Sequence, residues 1–466
     1  MRHQGTAAPG AESDGDATAA ADRQPGDTAA HDVARASSAF VDNRPPAVSG
    51  FAYVDGELHA EDVRLSAIAD AFGTPCYVYS RAMLTDAYRA FDAAFAGMPH
   101  LVCYAMKANP TLGILDLFAR LGGGFDIVSG GELARVIAAG GDCGKVVFSG
   151  VGKSDAEMEA ALAAGILCFN VESSGELDHL AAVARRIGTR APISFRVNPD
   201  VDPLTHPYIA TGLKDSKFGV ALADAHALYR RAARMPSIVV RGIDMHIGSQ
   251  ITDLAPYREA ASRMLALVDA LAAEAITLDH VDLGGGLGIR YRDEQPIPID
   301  AYAAMVRPLF AHRRERLLFE PGRRLVGDAG VLLTRVRVVK PGAARNFAVV
   351  DAAMNDLIRP SLYDAWHAVD PVRPRAAEGA VRYDVVGPIC ESGDFLALDR
   401  ELAIGEGDLL AVRTAGAYAM AMSSNYNARP RACEVMVDGV EAHLIRRRET
   451  IDELHALELR LPTSTR

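Results

Sequence analysis

Four stretches of this chain put a reactive or anion-binding group directly after an apolar run. The first is Tyr104-Ala105-Met106-Lys107-Ala108-Asn109-Pro110. An amine that follows a buried strand is desolvated, which favours its neutral, nucleophilic form and Schiff-base chemistry. The competing structural reading is a lysine that snorkels out of a rim. Usage argues against it, because the chain has only six lysines (Lys107, Lys145, Lys153, Lys214, Lys217 and Lys340) beside 43 arginines. Lys217 competes weakly, since it follows a loop. The second stretch is His246-Ile247-Gly248-Ser249. Its imidazole is equally readable as a hydrogen-bonded core group, but Gly248 lets backbone approach a ligand and Ser249 can donate to an anion. The third is Gly284-Gly285-Gly286-Leu287-Gly288, which is not GxGxxG and comes late in the chain, so it does not read as a dinucleotide fingerprint. Its glycines expose several N–H groups to an anion such as phosphate. The fourth, Glu320-Pro321-Gly322-Arg323, offers a buried acid, or an ordinary rim ion pair. Gly150-Val151-Gly152-Lys153-Ser154 ends like an ATP-binding loop, but Val147 stands where the first glycine of GxxxxGK[ST] must be.

These stretches need elements to hold them. Short apolar runs fall at 101–106, 125–129, 145–149, 167–172, 193–198, 243–248, 280–283 and 317–320. Helical patterns lie between them at 111–120, 131–139, 155–164, 175–187, 221–234, 256–275 and 299–313. Eight strands with intervening helices predict a parallel (β/α)8 barrel, with a doubly wound open sheet as the alternative. In a barrel, chemistry gathers where strands end, which is where all four stretches lie. An amine, an imidazole able to lie on a ring, a phosphate nest and a buried acid together suit pyridoxal phosphate: Lys107 for the Schiff base, the glycine loop for the phosphate, His246 on the ring and Glu320 at the pyridine nitrogen.

After Glu320 the texture changes. Runs at 331–339, 346–350, 381–386, 408–412 and 433–437 alternate with Gly/Pro turns and lack regular helices, which predicts a mainly antiparallel β-domain. The segment 51–59 reads as a hairpin about Val54-Asp55-Gly56-Glu57 and is expected to extend that sheet. The expected fold class is therefore α/β plus β. The expected division is a disordered extension over 1–48, a segment over 49–74 that joins the β-domain, a barrel over 75–325, and the rest of the β-domain over 326–466.

On these residues the chain resembles the fold-type III pyridoxal-phosphate decarboxylases, whose architecture is alanine racemase-like, and among them those that act on meso-2,6-diaminopimelate. The resemblance rests on the four stretches above, on Gly124-Phe125-Asp126-Ile127-Val128-Ser129-Gly130-Gly131-Glu132-Leu133, and on Gln250 after Ser249. It continues in Met354-Asn355-Asp356-Leu357-Ile358-Arg359-Pro360-Ser361-Leu362-Tyr363, in Gly387-Pro388-Ile389-Cys390-Glu391-Ser392-Gly393-Asp394 and in Ala415-Gly416-Ala417-Tyr418. It implies that Lys107 carries the cofactor, with His246 stacked on the ring and Glu320 paired with the pyridinium nitrogen. Ser249, Gly284, Gly285, Gly286, Gly322, Arg323 and Tyr418 are implied to surround the cofactor. It further implies a homodimer whose active sites are shared, with Cys390 as proton donor and Glu391 as partner of a substrate ammonium, both crossing from the neighbouring subunit. Arg323, Arg359 and Tyr363 would hold the distal carboxylate of the substrate, with Tyr418 close by. The implied product is L-lysine, with carbon dioxide released, at the last step of lysine biosynthesis. An arginine fork suits a carboxylate, whereas an ornithine site would leave a buried arginine unpaired. Rival expectations are decarboxylation of arginine or ornithine, racemisation, which needs proton donors on both ring faces, and a silent homologue that only binds. Cys390 as a buried structural thiol and Tyr363 as a core residue are the competing structural readings.

Composition narrows the rest. The 466 residues are 49% hydrophobic with formal net charge −11, which gives no broad attraction to nucleic acid or anionic lipid. No apolar run approaches the ~18 residues of a membrane span. No leucine or isoleucine precedes Leu58, and the first forty residues are acidic and poor in large apolar side chains, unlike a signal or transit peptide. Six dispersed cysteines without CxxC fit reduced thiols and a cytoplasmic location. No metal site is expected.

Overall fold

The computed structural model describes residues 50–202, 217–376 and 379–462. The expected disordered extension lies outside the described residues, as does Lys214. The described chain opens on a hairpin of β1 (Phe51–Val54) and β2 (Glu57–Ala60). Asp55 and Gly56 both take positive φ (50° and 78°), the geometry of a tight two-residue turn. This hairpin does not extend the larger sheet. With β3 (Val63–Arg64) it makes its own three-stranded sheet, reaching the C-terminal part through the Leu58 N–H, which donates to Val372 O at 2.8 Å. Helix α1 (Leu65–Phe72) follows, and then β4 (Cys76–Ser80).

β4 corrects the expectation that the barrel begins at 75. It pairs with β14 and β20 of the second sheet, and all five of its residues are buried. Its uninterrupted apolar texture is what a strand covered on both faces requires, and that texture does not reveal which sheet will take it. Helix α2 (Arg81–Ala94), capped by Ser80, leads to the barrel.

The barrel strands are β5 (His100–Ala105), β6 (Gly124–Ile127), β7 (Val146–Phe148), β8 (Cys168–Val171) and β9 (Ala191–Asn198), joined by the two-residue β10 (Val220–Ala221) on β9. After them come β11 (Ile238–Asp244), β12 (His280–Asp282) and β13 (Arg316–Phe319). Each main strand pairs in parallel with the next, β11 follows β9 directly, and β13 returns to β5, so eight strands close. The covering helices are α3 (Leu112–Arg120), α4 (Gly130–Ala138), α5 (Asp155–Ala164), α6 (Ser174–Arg186), α7 (Leu222–Ala232), α8 (Leu254–Ala273) and α9 (Ile299–Phe310). Three of them start alike: Ser129, Ser154 and Ser173 accept the N–H of Glu132, Glu157 and Glu176, so each strand hands over to its helix in a fixed direction. The interior splits by chemistry. A small apolar cluster of Leu101, Cys103, Val147, Cys168 and Leu318 fills one layer, while Asp126, Asn170, Asp244 and Asp282 bury polar groups toward the strand ends.

Two boundaries differ from expectation at the sixth barrel strand. It starts at Ile238 and ends at Asp244, so His246 stands beyond the strand, because pairing with β12 stops at Asp282 and the chain turns away.

A short α10 (Arg323–Val326) leads into the second sheet. Its further strands are β14 (Gly330–Lys340), β15 (Asn346–Val350), β16 (Val369–Pro371), β17 (Val381–Val386), β18 (Phe395–Leu402), β19 (Leu409–Val412), β20 (Cys433–Asp438) and β21 (Glu441–Arg446). The path runs β18-β17-β15-β14-β4-β20-β21, mostly antiparallel, with parallel pairs at β15–β17 and β4–β20. Helix α11 (Arg359–Tyr363) interrupts the strands. No helix among the described residues is long and apolar enough to cross a membrane.

Candidate active site at the barrel mouth

Lys107 lies in a single turn of 3-10 helix directly after β5. Its Nζ is paired with the fully buried Asp126 of β6. Burial works against the charged amine, but Asp126, Tyr418 and Glu320 outweigh it and hold Lys107 above the usual lysine range. The neutral amine expected from desolvation is thus corrected to an ammonium, because closure of the barrel brings acids that strand order alone does not reveal. Lys217, the weaker alternative, is exposed with its Nζ over the Phe218 ring.

Glu320, one residue past β13, is buried and accepts from Asn170 Nδ2 at 3.3 Å and from Ser149 Oγ at 3.4 Å. One oxygen each from Asp244, Asp282 and Glu320 lie within 4.8 Å of one another. Burial, with Asp126, Asp282 and Asp244 around it, pushes Glu320 well above the ordinary carboxylate range. Asp282 is raised too, chiefly by burial. Acids packed this closely disfavour one another's ionised form. Asp126 Oδ1, Asp244 Oδ1 and Asp282 Oδ2 are buried with no hydrogen-bond partner, so this layer holds acceptors that the chain itself does not satisfy.

The His246 Nδ1 accepts the Gly285 N–H at 3.2 Å. Burial, then Arg196 and Lys107, keeps the imidazole neutral well below its ordinary range, so its proton resides on Nε2. The glycine loop is a close-approach device. A Cβ on Gly285 would stand 2.1 Å from Glu320 O, and one on Gly286 2.3 Å from Gly248 O. The expectation that its amides are free for an anion is revised for two of them, since Gly284 donates to Asp282 Oδ1 at 2.8 Å and Gly285 to His246. Gly322, at the start of α10, packs against the β5 end, where a Cβ would meet Ala105 O at 3.0 Å.

The second sheet reaches this mouth. The Tyr418 N–H donates to Ala108 O at 2.8 Å, beside Lys107, and its ring lies 4.7 Å from the Arg323 guanidinium carbon. Arg323 donates to Ser249 Oγ at 3.1 Å and to Tyr291 Oη at 2.6 Å. The Arg359 guanidinium lies 4.4 Å over the Tyr291 ring and donates to His367 Nε2 at 3.2 Å. Tyr363, at the end of α11, is close enough to Arg323 to act on its charge. Both arginines are buried, and among the described residues neither forms a salt bridge with a carboxylate.

Cys390 and Glu391 are not brought in. They occupy the turn between β17 and β18, where Cys390 is exposed, its N–H donates to Asn427 Oδ1 at 2.9 Å, and Tyr426 Oη donates to Glu391. The described contacts of this turn do not run to Lys107, His246 or Glu320. Residues that carried no expected role are Asp126, Asp244, Asp282, Ser149, Asn170, Tyr291 and His367. The signal available for the acids and Asn170 was a polar residue inside an otherwise apolar strand. Nothing comparable marks Tyr291 or His367.

The arrangement fits pyridoxal phosphate. It has one amine at a strand end, an acid layer whose orphaned oxygens call for a cationic partner, a glycine cradle that any Cβ would fill, and a neutral imidazole on the cradle.

Residues 81–327 match the family described as "Pyridoxal-dependent decarboxylase, pyridoxal binding domain". The diaminopimelate decarboxylase of Pseudomonas aeruginosa is 60% identical over 412 residues, 88% of this chain and 99% of the relative. That of Vibrio cholerae is 57% identical over 409 residues, 88% of this chain and 98% of the relative. The crystal structure of diaminopimelate decarboxylase from Helicobacter pylori complexed with L-lysine superposes with TM-score 0.82 at 39% identity, covering 85% of this chain and 99% of that one. With an amine, a buried acid layer and a glycine cradle gathered at the mouth of a closed barrel, and relatives matched over nearly their whole length, the chain belongs to the diaminopimelate decarboxylases, pyridoxal-phosphate-dependent carboxy-lyases.

Proposed function

We propose that this chain converts meso-2,6-diaminopimelate to L-lysine and carbon dioxide, the last step of lysine biosynthesis, as a cytoplasmic homodimer with shared active sites. One observation carries the substrate choice. Arg323 and Arg359 are buried beside each other's aromatic partner, Tyr291, with only neutral groups of the chain against them. Two buried guanidinium groups without an acid are costly, and a substrate carboxylate supplies what they lack. An L-lysine complex of a relative supports an amino acid of this length at such a site.

When bound, pyridoxal phosphate supplies the electron sink that lets a substrate Cα lose its carboxylate. Lys107 supplies the amine that holds it, with Asp126 orienting Nζ. His246 would lie against the ring as a neutral imidazole. Glu320 would hold the ring nitrogen, whose positive charge would draw Glu320 into its ionised form against the surrounding acids. Ser249, Gly284, Gly285, Gly286, Gly322 and Tyr418 line the cofactor's phosphate end. Arg323, Arg359 and Tyr363 would hold the distal carboxylate, so that the far end of the substrate positions the reacting one. Cys390 and Glu391 act across the dimer: Cys390 Sγ gives a proton to Cα, and Glu391 receives the distal ammonium. Their exposed turn, whose hydrogen bonds run to Asn427 and Tyr426, supports this assignment.

The test is carbon dioxide release and product analysis on the loaded enzyme with meso-diaminopimelate, ornithine and arginine. L-Lysine as sole product, with ornithine and arginine turned over at least a hundredfold less efficiently, is expected. Preference for ornithine would overturn the arginine-pair argument. Enantiomer interconversion without gas would make the chain a racemase.

A further inference from the structure

Outside the barrel mouth, two of the six cysteines meet in the second sheet. Cys76 opens β4, Cys433 opens β20, and the parallel pairing of these strands puts the two residues directly in register. Residues paired in register on neighbouring strands point to the same face, so the two thiols lie on one face of the sheet, near enough to act on each other's charge, while their hydrogen bonds run to backbone, Cys76 to Tyr77 O at 3.4 Å and Cys433 to Phe72 O at 3.6 Å. Both are buried. A third group completes the site. Arg448 Nη2 stands 3.4 Å from Cys433 Sγ, held there by the Pro75 carbonyl at 2.7 Å and the Phe72 carbonyl at 3.4 Å. Among the described residues Arg448 has no salt-bridge partner, so its charge is directed at the thiol. The neighbouring Cys76 and the guanidinium of Arg448, set against burial, bring Cys433 down to about 7, while Cys76 is raised. The pair is therefore unequal, with one sulfur suited to attack and the other to resolve.

We propose that Cys76 and Cys433 are a redox-active dithiol, which a hydroperoxide oxidises to an intrachain disulfide linking β4 to β20. The Cys433 thiolate attacks the peroxide, the O–O bond breaks, and Cys433 becomes a sulfenic acid as the leaving oxygen takes a proton and departs as water or alcohol. The Cys76 sulfur then attacks the Cys433 sulfur, and the S–O bond breaks. Hydroxide leaves with the Cys76 proton as water. Two thiols thus give two electrons to one peroxide.

The experiment treats the loaded, full-length enzyme with a few equivalents of hydrogen peroxide, then quenches it in acid, unfolds it, blocks free thiols with maleimide and maps peptides without reductant. A linked Cys76–Cys433 peptide that dithiothreitol reverses is expected, with its formation slowed about tenfold in Arg448→Leu. In Cys76→Ser, Cys433 should be trapped as a sulfenic acid by a 1,3-dione. Complete maleimide labelling of Cys76 and Cys433 after the exposed Cys390 has reacted would overturn the proposal. So would a Cys433 sulfenic acid that accumulates while Cys76 is present.

Discussion

Arg359 Nη1 donates to His367 Nε2 at 3.2 Å, and the opposite ring nitrogen of His367, Nδ1, lies 2.8 Å from the Arg413 carbonyl. A carbonyl only accepts, so Nδ1 carries the proton and Nε2 is the acceptor. The tautomer is set by backbone, and it turns His367 into a neutral rest for a buried cation. Burial first, then Arg359, holds the imidazole down to about 3.

His367→Gln should therefore act in two separable ways. The unfolded chain protonates this histidine near pH 6.5 and the folded chain only near 3, so the unfolded state binds the extra proton between those values and stability falls as pH falls through them. Removing the group should flatten stability against pH in that window by about 1.4 kcal/mol per pH unit. Denaturant titrations at several pH values measure this. Loosening Arg359 should also raise KM for meso-diaminopimelate roughly tenfold, the size of one hydrogen bond to a charged group, with kcat within about threefold.

Lys107→Ala should abolish both cofactor attachment and turnover. Asp126→Asn is the more informative change. It removes the acid that opposes desolvation in holding Lys107 above its usual range. More of the amine is then neutral at a given pH, so capture of pyridoxal phosphate by the cofactor-free chain should be faster at pH 7, with its pH profile moved down by at least one unit. Growth of the visible band of the attached cofactor follows this directly, and an unchanged profile would remove Asp126 from the argument.

Mixing tests the shared site. Lys107→Ala and Cys390→Ala damage opposite contributions to each proposed site, so a mixed dimer retains one intact site. Statistical exchange should restore about a quarter of wild-type activity from two nearly inactive parents. No recovery, with exchange shown by native mass spectrometry, would place Cys390 in the same chain's site or outside the chemistry.

Gly285 and Gly56 separate packing from backbone strain. A Cβ on Gly285 would press 2.1 Å from Glu320 O, whereas Gly56 has φ +78° and open space around it. Gly285→Ala should cost at least the ~1–3 kcal/mol of an overpacked core and weaken cofactor retention. Gly56→Ala should cost only the ~1–2 kcal/mol of a left-handed alanine and leave retention unchanged. Thermal melts with and without cofactor distinguish the two.

Much of the fold was legible because it depends on local pattern. Eight buried runs alternating with helical stretches announce a parallel barrel, since period and run length need no partner to be read. Lys107, His246 and Glu320 were legible for the same reason, as polar residues closing apolar runs. Pairing is a different matter. The 76–80 run is as apolar as a barrel strand, and only the register with Val331 and Val435 assigns it to the second sheet. The hairpin at 51–60 folds as its turn residues dictate, yet it stands in a sheet of its own.

The sequence by itself determined the number of barrel strands and which of their ends carry an amine, an imidazole and an acid, because these follow from neighbours along the chain. Only the tertiary structure decided the charge those groups carry. Closure sets Asp126 against Lys107 and packs Asp244 and Asp282 beside Glu320, across separations no periodicity encodes. An amine that desolvation alone would leave neutral becomes an ammonium, and an acid is pushed toward its neutral form, because electrostatics at a few ångströms depends on which strands meet and not on the order in which they were written.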